Sequence, residues 1–234
     1  MYRELLPPSH LRHAIKCLWL RRGAGEPVRV IPDGCVDIVW RESAGASVAG
    51  PDTRHWYSAP AADEPTLGVR FRPGAGGPAL GVPLSELRDC RAALEDLNPA
   101  LAQKLAGSDD PDVVARRLGA VAAELVNTRP PDRAVQAATL RLRDSRARVD
   151  RLANELGFSE RQLRRRFDRA VGYGPKTLQR VLRLQQSLGG SDTDIPAAAI
   201  DAGYADQAHL ARECRALTGL MPKEWVRARR DPGP

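Results

Sequence analysis

Between Glu160 and Val171 the chain sets five arginines, Arg161, Arg164, Arg165, Arg166 and Arg169, among the apolar residues Leu163, Phe167 and Val171. Guanidinium groups at this density either solvate a helix face or meet nucleic acid, where Arg reaches O6 and N7 of guanine with both arms. The apolar residues recur at helical spacing, so one side of this helix is core and the rest is cationic. A second group holds Asp33, Asp37 and Asp52 with the aromatic residues Trp40 and Trp56 and with Arg70. Such a set could line a ligand pocket, with Trp40, Trp56 and Arg70 as candidate effector-binding residues. Asp33 and Asp52 serve equally well to hydrogen-bond their own turns.

Other reactive side chains point less clearly to chemistry. Cys17, Cys35, Cys90 and Cys214 are scattered, with no CxxC pair. They suggest neither a zinc site nor a disulfide framework. Cys35 follows a Pro-Asp-Gly turn and reads as a buried small hydrophobe rather than a reactive thiol. His10, His13 and His55 lack metal-ligand spacing with a carboxylate, so no metal and no cofactor are expected. GxSxG, HExxH, P-loop and Rossmann patterns are absent, and the chain is read as a non-enzyme. An enzymatic function is the rival from another class.

The elements that position these groups divide the chain in two. Runs at Ile15 to Leu20, Val28 to Ile31, Val36 to Trp40, Ser47 to Ala49, His55 to Ser58 and Leu67 to Arg72 are separated by Gly/Pro/Asp turns and read as short strands. Their spacing predicts a small β-sandwich or barrel. A short helix is expected between Gly74 and Leu80. Beyond Pro83 the pattern turns helical, most clearly from Pro111 to Asn127, whose apolar stripe can pack on a core or on a second subunit. Asn127-Thr128-Arg129-Pro130-Pro131 stops that helix, and Asp132 can cap the next. The expected division is therefore 1–128, a linker at 129–131, and 132–234.

Charge follows the same division. Residues 1–131 carry 16 basic and 16 acidic residues, whereas 132–234 carry 20 and 13, so the whole net charge of +7 lies in the second part. A basic excess confined to one domain is what counterion release from a polyanion exploits. Double-stranded DNA is the expected partner. No run approaches a membrane span of roughly 20 apolar residues, and the N-terminus lacks a signal-peptide layout, which makes the expected location cytoplasmic.

The second part also contains a degenerate repeat. Leu156-Gly157-Phe158-Ser159-Glu160 is echoed by Ala202-Gly203-Tyr204-Ala205-Asp206, and Leu163, Arg165, Phe167, Gly172 and Pro175 by Leu210, Arg212, Cys214, Gly219 and Pro222. Each copy reads as a supporting helix, a turn and a second helix. In the first copy Val149, Leu152, Ala153 and Leu156 precede the turn and Ser159 caps the second helix. In the second, Ile195 to Ala202 supports Asp206 to Leu217, and Pro222 to Ala228 closes the unit. A helix from Lys176 to Leu188 joins the two, with Gly189-Gly190-Ser191-Asp192 breaking it. Two such units on one chain can enter successive major-groove segments about 34 Å apart.

This pattern resembles the DNA-binding domain of the AraC/XylS family of bacterial transcription regulators. In the first unit the resemblance is carried by Leu152-Ala153, Gly157-Phe158-Ser159, Leu163, Arg165, Phe167, Gly172, Pro175 and Arg183-Leu184. In the second it is carried by Ala199, Gly203-Tyr204, Asp206-Gln207, Leu210, Arg212, Gly219, Pro222 and Trp225. It implies that each second helix enters the major groove. The implied base-reading residues are Arg161, Gln162, Arg164 and Arg165 in the first unit, and Gln207, Ala208, His209, Ala211 and Arg212 in the second. Ser159 would position the first helix at phosphate, and Arg166 and Arg169 would meet phosphate or solvent.

Ala198 and Cys214 depart from the family pattern and truncate the second core, so the first unit is expected to carry most of the affinity. Pro32 to Trp40, Gly50-Pro51-Asp52-Thr53, Gly68 to Gly74 and Gly81-Val82-Pro83 resemble a cupin-like N-terminal domain of short family members. That resemblance implies effector sensing or dimerisation.

The expected fold class is α+β, a small β-sandwich or cupin-like barrel followed by helices and then an all-α double helix-turn-helix. The expected function is a sequence-specific transcription factor with a small-molecule effector, acting as a monomer or homodimer with RNA polymerase as a further partner. The alternatives are an effector-independent architectural DNA binder and a cupin-type enzyme fused to a DNA-binding domain.

Overall fold

The computed structural model describes residues 1–187 and 194–230. The break expected at Gly189-Gly190-Ser191-Asp192, and Leu188 before it, lie outside the described residues. Among the described residues eight strands occur: β1 (Tyr2–Leu5), β2 (Ile15–Arg21), β3 (Val28–Val30), β4 (Val36–Arg41), β5 (Gly45–Ala49), β6 (Trp56–Ser58), β7 (Thr66–Phe71) and β8 (Arg91–Ala93). All but β3 and β6 form one antiparallel sheet in the order β1-β2-β7-β4-β5-β8; β3 and β6 form a separate two-stranded ribbon. Strands β2 to β7 fall within a residue or two of the runs that alternation and turn residues predict. Strands β1 and β8 carry no such signal, since β1 is exposed at every position. They form because β2 and β5 offer open edges to pair with.

Period-2 alternation gives the sheet two unlike faces. Val36, Ile38 and Trp40 of β4, Val48 of β5, and Leu67, Val69 and Phe71 of β7 all enter one hydrophobic core. Helices cover that face: α1 (Gly76–Leu80), α2 (Leu94–Leu97), α3 (Pro99–Leu105) and the long α4 (Pro111–Thr128). Asp110 caps α4 by accepting from Asp112 N and Val113 N, and Pro111 sits in its first turn, where the missing N–H costs nothing. The α4 stripe of Val114, Leu118, Val121, Ala122 and Val126 is buried in the same core and packs across β7. Packing inside the domain therefore occupies the surface that could have served a second subunit.

The remaining helices are α5 (Arg133–Arg141), α6 (Val149–Glu155), α7 (Glu160–Ala170), α8 (Pro175–Ser187), α9 (Ile195–Asp201), α10 (Gln207–Thr218) and α11 (Pro222–Arg230). They enclose two cores. Val135, Leu152, Leu163, Phe167 and Val171 belong to the first, and Ile195, Ala199, Leu210, Cys214 and Leu217 to the second. Helix α8 belongs to both, giving Leu178 and Leu182 to the first core and Val181 and Leu184 to the second. Successive residues in a helix rotate by 100°, so these pairs form adjacent stripes on one rod. Among the described residues no helix is long and apolar enough to cross a membrane.

Phe167 is fully buried at the centre of the first core. Truncating it by Phe167→Ala should lower unfolding stability by about 3–5 kcal/mol, read as a reduced urea midpoint of the helical transition.

Candidate nucleic-acid interface and buried pocket

Helix α7 is fixed at its start by a capping box. Ser159 Oγ accepts from Gln162 N at 3.3 Å, and Gln162 Oε1 accepts from Ser159 N at 2.9 Å. Leu163, Phe167 and Ala170 face inward, leaving Arg161, Arg164, Arg165 and Arg169 exposed. Arg166 is committed to the scaffold, since its guanidinium pairs with Asp132 and lies 4.5 Å from the Phe158 ring centroid. Gln162 is likewise engaged by the cap, which its sequence position as a base-reading residue does not reveal. All five arginines are exposed, but Arg166 is anchored to Asp132 and Phe158, and Arg164 lies 3.9 Å from Asp168.

Helix α10 is built alike but with less charge. Asp206 caps it by accepting from His209 N at 2.6 Å. Gln207, Ala208 and Arg212 are exposed, while His209 and Ala211 are half-buried. The His209 ring packs edge-on against Tyr204 at 5.2 Å, so it serves local packing. Cys214 is fully buried at the position the sequence marks as truncated, and Thr218 Oγ1 donates to its carbonyl at 2.7 Å. Ala198 is half-buried, and its neighbour Ile200 is left 70% exposed.

Folding also adds a cation that sequence patterning does not reveal. Arg129, in the proline-rich stretch after α4, joins Arg165, Arg166 and Arg169 around a cleft of about 560 Å³. Only the packing of α1 against α7 creates that neighbourhood.

The sheet's other face lines a cavity of about 480 Å³, with the β3–β6 ribbon across from it. Arg70 grips Asp37 with two nitrogens, Nε at 3.0 Å and Nη2 at 2.9 Å, and Trp19 Nε1 donates to the same carboxylate at 3.0 Å. Asp33 lies 3.8 Å from Arg70 and 3.2 Å from Lys16, and accepts from Cys35 N at 2.9 Å. Its two readings, turn residue and pocket residue, are therefore both true. Burial alone would raise Asp33, but Arg70 and Lys16 outweigh it and hold the carboxyl below its ordinary value. For Asp37, burial prevails over Arg70 and the carboxyl is raised.

On the far wall Arg91 holds Asp52 through both terminal nitrogens, at 2.9 and 2.7 Å, with its guanidinium 3.8 Å over the Trp56 ring. Trp56 and Arg70 line the cavity as the sequence suggests. Trp40 does not. It is 4% exposed in the hydrophobic core on the opposite face, because it alternates in phase with Val36 and Ile38 rather than with Asp37. The ring that lies where Trp40 was expected is Trp19, accommodated by Gly68 opposite it on β7. A Cβ on Gly68 would lie 2.4 Å from the indole. His13 Nδ1 is hydrogen-bonded with the carbonyl of His10, and His55 lies outside the cavity against Gly219.

Family models match both parts of the chain: residues 3–93 match a domain of unknown function, DUF6597, and residues 152–228 match a helix-turn-helix domain. Residues 152–228 therefore carry a helix-turn-helix domain. No curated protein sequence matches the chain significantly. Among solved structures, ToxT from Vibrio cholerae is similar at 10% identity. An apo ToxT variant covers 97% of this chain and 95% of its own with a TM-score of 0.44. ToxT bound to an unsaturated fatty acid covers 89% and 94% with a TM-score of 0.46.

One segment, residues 28–35, lies between the cavity and the helix-turn-helix domain. Val28, Val30, Asp33 and Cys35 face the cavity. From the same segment Arg29 Nη1 donates to Thr218 O at the end of α10 at 2.7 Å, and the Pro32 carbonyl accepts from Gln185 Nε2 of α8 at 2.8 Å. Gly34, with φ +79°, lets Leu178 of α8 approach; a Cβ there would lie 2.7 Å from its Cδ1.

Burial, and next the Asp33 charge, push the Cys35 thiol well above its ordinary value, and burial pushes Cys17 to about 11. Cys214 is also buried, and Cys90 is the exposed cysteine. Because only the thiolate alkylates, iodoacetamide at pH 8 should add one group to the folded protein, at Cys90. Intact-mass spectrometry with peptide mapping reads this directly.

Proposed function

We propose that this protein is a sequence-specific regulator of bacterial promoters, acting in the cytoplasm, whose N-terminal cavity holds a small-molecule effector. The proposed division is 1–128 for sensing, 129–131 as linker and 132–234 for DNA binding, in keeping with the separate hydrophobic cores. In this reading Arg161, Arg164 and Arg165 of α7 contact base edges, Arg169 contacts phosphate, and Gln207 and Arg212 supply the second, weaker reader. Exposure and the cationic face of α7 support that assignment.

The observation that carries the effector reading is the segment 28–35. It lines the cavity with Val28, Val30, Asp33 and Cys35, and holds α10 through the Arg29 side chain and α8 through the Pro32 main-chain carbonyl. A ligand that favours one arrangement of this segment would bias the two readers by its differential affinity, which is all that linkage requires. Because α8 is shared by both reader cores, a displacement at Gln185 or Leu178 would reach both units.

An operator selected from random duplexes with the full-length protein tests the DNA assignment. Arg164→Ala and Arg165→Ala should each weaken specific binding by about 1–3 kcal/mol, and Arg212→Ala should cost less. A larger or equal loss for Arg212→Ala would refute the ranking, and absence of any selected sequence would refute the function. For the coupling, Arg29→Ala combined with Gln185→Ala should speed amide exchange in α8 to α10 while leaving the far-UV spectrum unchanged. Unaltered exchange would show that these bonds do not hold the readers.

A further inference from the structure

The cavity wall is ordered in rows set by strand register. Arg21 of β2 pairs with Thr66 of β7, and Thr66 with Arg41 of β4, so these three stand side by side on one row. Two residues along, Trp19, Gly68 and Val39 form the next row. Two further along, Arg70 faces Asp37. Each step along a strand is about 3.3 Å, so successive rows lie roughly 7 Å apart.

The rows differ in their unsatisfied chemistry. Arg70 is neutralised by Asp37 and Asp33, and Arg91 by Asp52. Arg29, the other cation at the wall, directs its guanidinium outward to Thr218. Arg21 and Arg41 form no ion pair among the described residues. Arg41 donates only to the neutral Ser58 Oγ, at 2.6 Å, and its Nε is buried without a partner. Glu64, the acid near Arg41, has its oxygens committed to the main-chain N–H groups of Ser43 and Ala61 at 2.8 and 3.2 Å. Between the two arginines Thr66 is 4% exposed, and its hydroxyl has no partner. Two unpaired guanidinium groups flanking an unpartnered buried hydroxyl make an anion site. The neighbouring row is apolar and flat, because Gly68 lets the Trp19 ring lie against the sheet.

We propose that the cavity binds an organic acid, with its carboxylate on Arg21, Thr66 and Arg41 and its apolar body over Trp19, Gly68 and Val39. This assignment names the ligand class of the effector cavity and rests on that reading. A volume of about 480 Å³ suits one or two fused rings or a medium alkyl chain.

The test uses the full-length protein with 2-naphthoate and decanoate as probes, compared with 2-naphthamide and 2-naphthylmethylamine. Binding is measured by calorimetry and by tryptophan fluorescence. The carboxylates should bind at least tenfold tighter than the amide, and the amine should not bind. Arg21→Gln and Arg41→Gln should each weaken the carboxylates tenfold or more while leaving the amide unaffected, and Arg41→Lys should restore part of the loss. Thr66→Val should weaken the carboxylates several-fold. Equal binding of amide and carboxylate, preference for the amine, no binding of either carboxylate, or unchanged affinity in both arginine variants would overturn the assignment. Operator binding by the same preparations separates the two levels. Intact DNA recognition alongside any of these outcomes overturns the organic-acid class and leaves the regulator standing. Failure of the wild-type protein to recognise DNA strikes the regulator itself.

Discussion

The second half of the chain depends on the burial of four side chains from one helix. Leu178 and Leu182 of α8 complete the core under α7, and Val181 and Leu184 complete the core under α10. A rigid helix that belongs to two cores fixes the relation of the units on either side of it. The same helix meets the N-terminal domain through Leu178 at Gly34 and Gln185 at Pro32. Both helix-turn-helix units and the N-terminal domain therefore converge on thirteen residues of one element.

The N-terminal sheet is organised by a different constraint, the separation of its faces. One face is continuous with the hydrophobic core, and the other carries charge in a partly enclosed space. Buried ion pairs such as Arg70 with Asp37 contribute little net stability, because desolvation offsets most of their attraction. Their consequence here is geometric. By holding Asp37 between Trp19 and Arg70, the network keeps the indole against Gly68 and the cavity open beside it. The opposing signs of the Asp33 and Asp37 shifts reflect how the charges are shared. Asp33 has two cationic neighbours, whereas Asp37 is more dominated by burial.

Much of this was legible in the residues. Turn clusters of Gly, Pro and Asp located strands β2 to β7, and helical spacing with caps located α4 and the helices of both units. Trp40 marks the limit of that legibility. Alternation places Val36, Ile38 and Trp40 on one face and Asp37, Val39 and Arg41 on the other, so the phase is written in the sequence. Residue type alone points Trp40 to the pocket. Strands β1 and β8 were beyond reach because exposed or short segments carry no burial pattern and form only against an existing edge. Arg129 was hidden for a related reason: it stands in a linker by sequence and beside Arg165 only in space.

The sequence by itself determined the double helix-turn-helix and the strand set, because helical and strand periodicities, caps and turns are local and are written in neighbouring residues. It also located the excess charge, which needs only counting. The tertiary structure alone decided which cations remain free. Arg166 and Arg70 are paired with carboxylates, while Arg21 and Arg41 have no carboxylate partner among the described residues, because these pairings depend on residues distant in the chain. It alone decided that residues 28–35 face a cavity on one side and helices α8 and α10 on the other. That arrangement depends on packing between elements far apart in sequence, which no local pattern records.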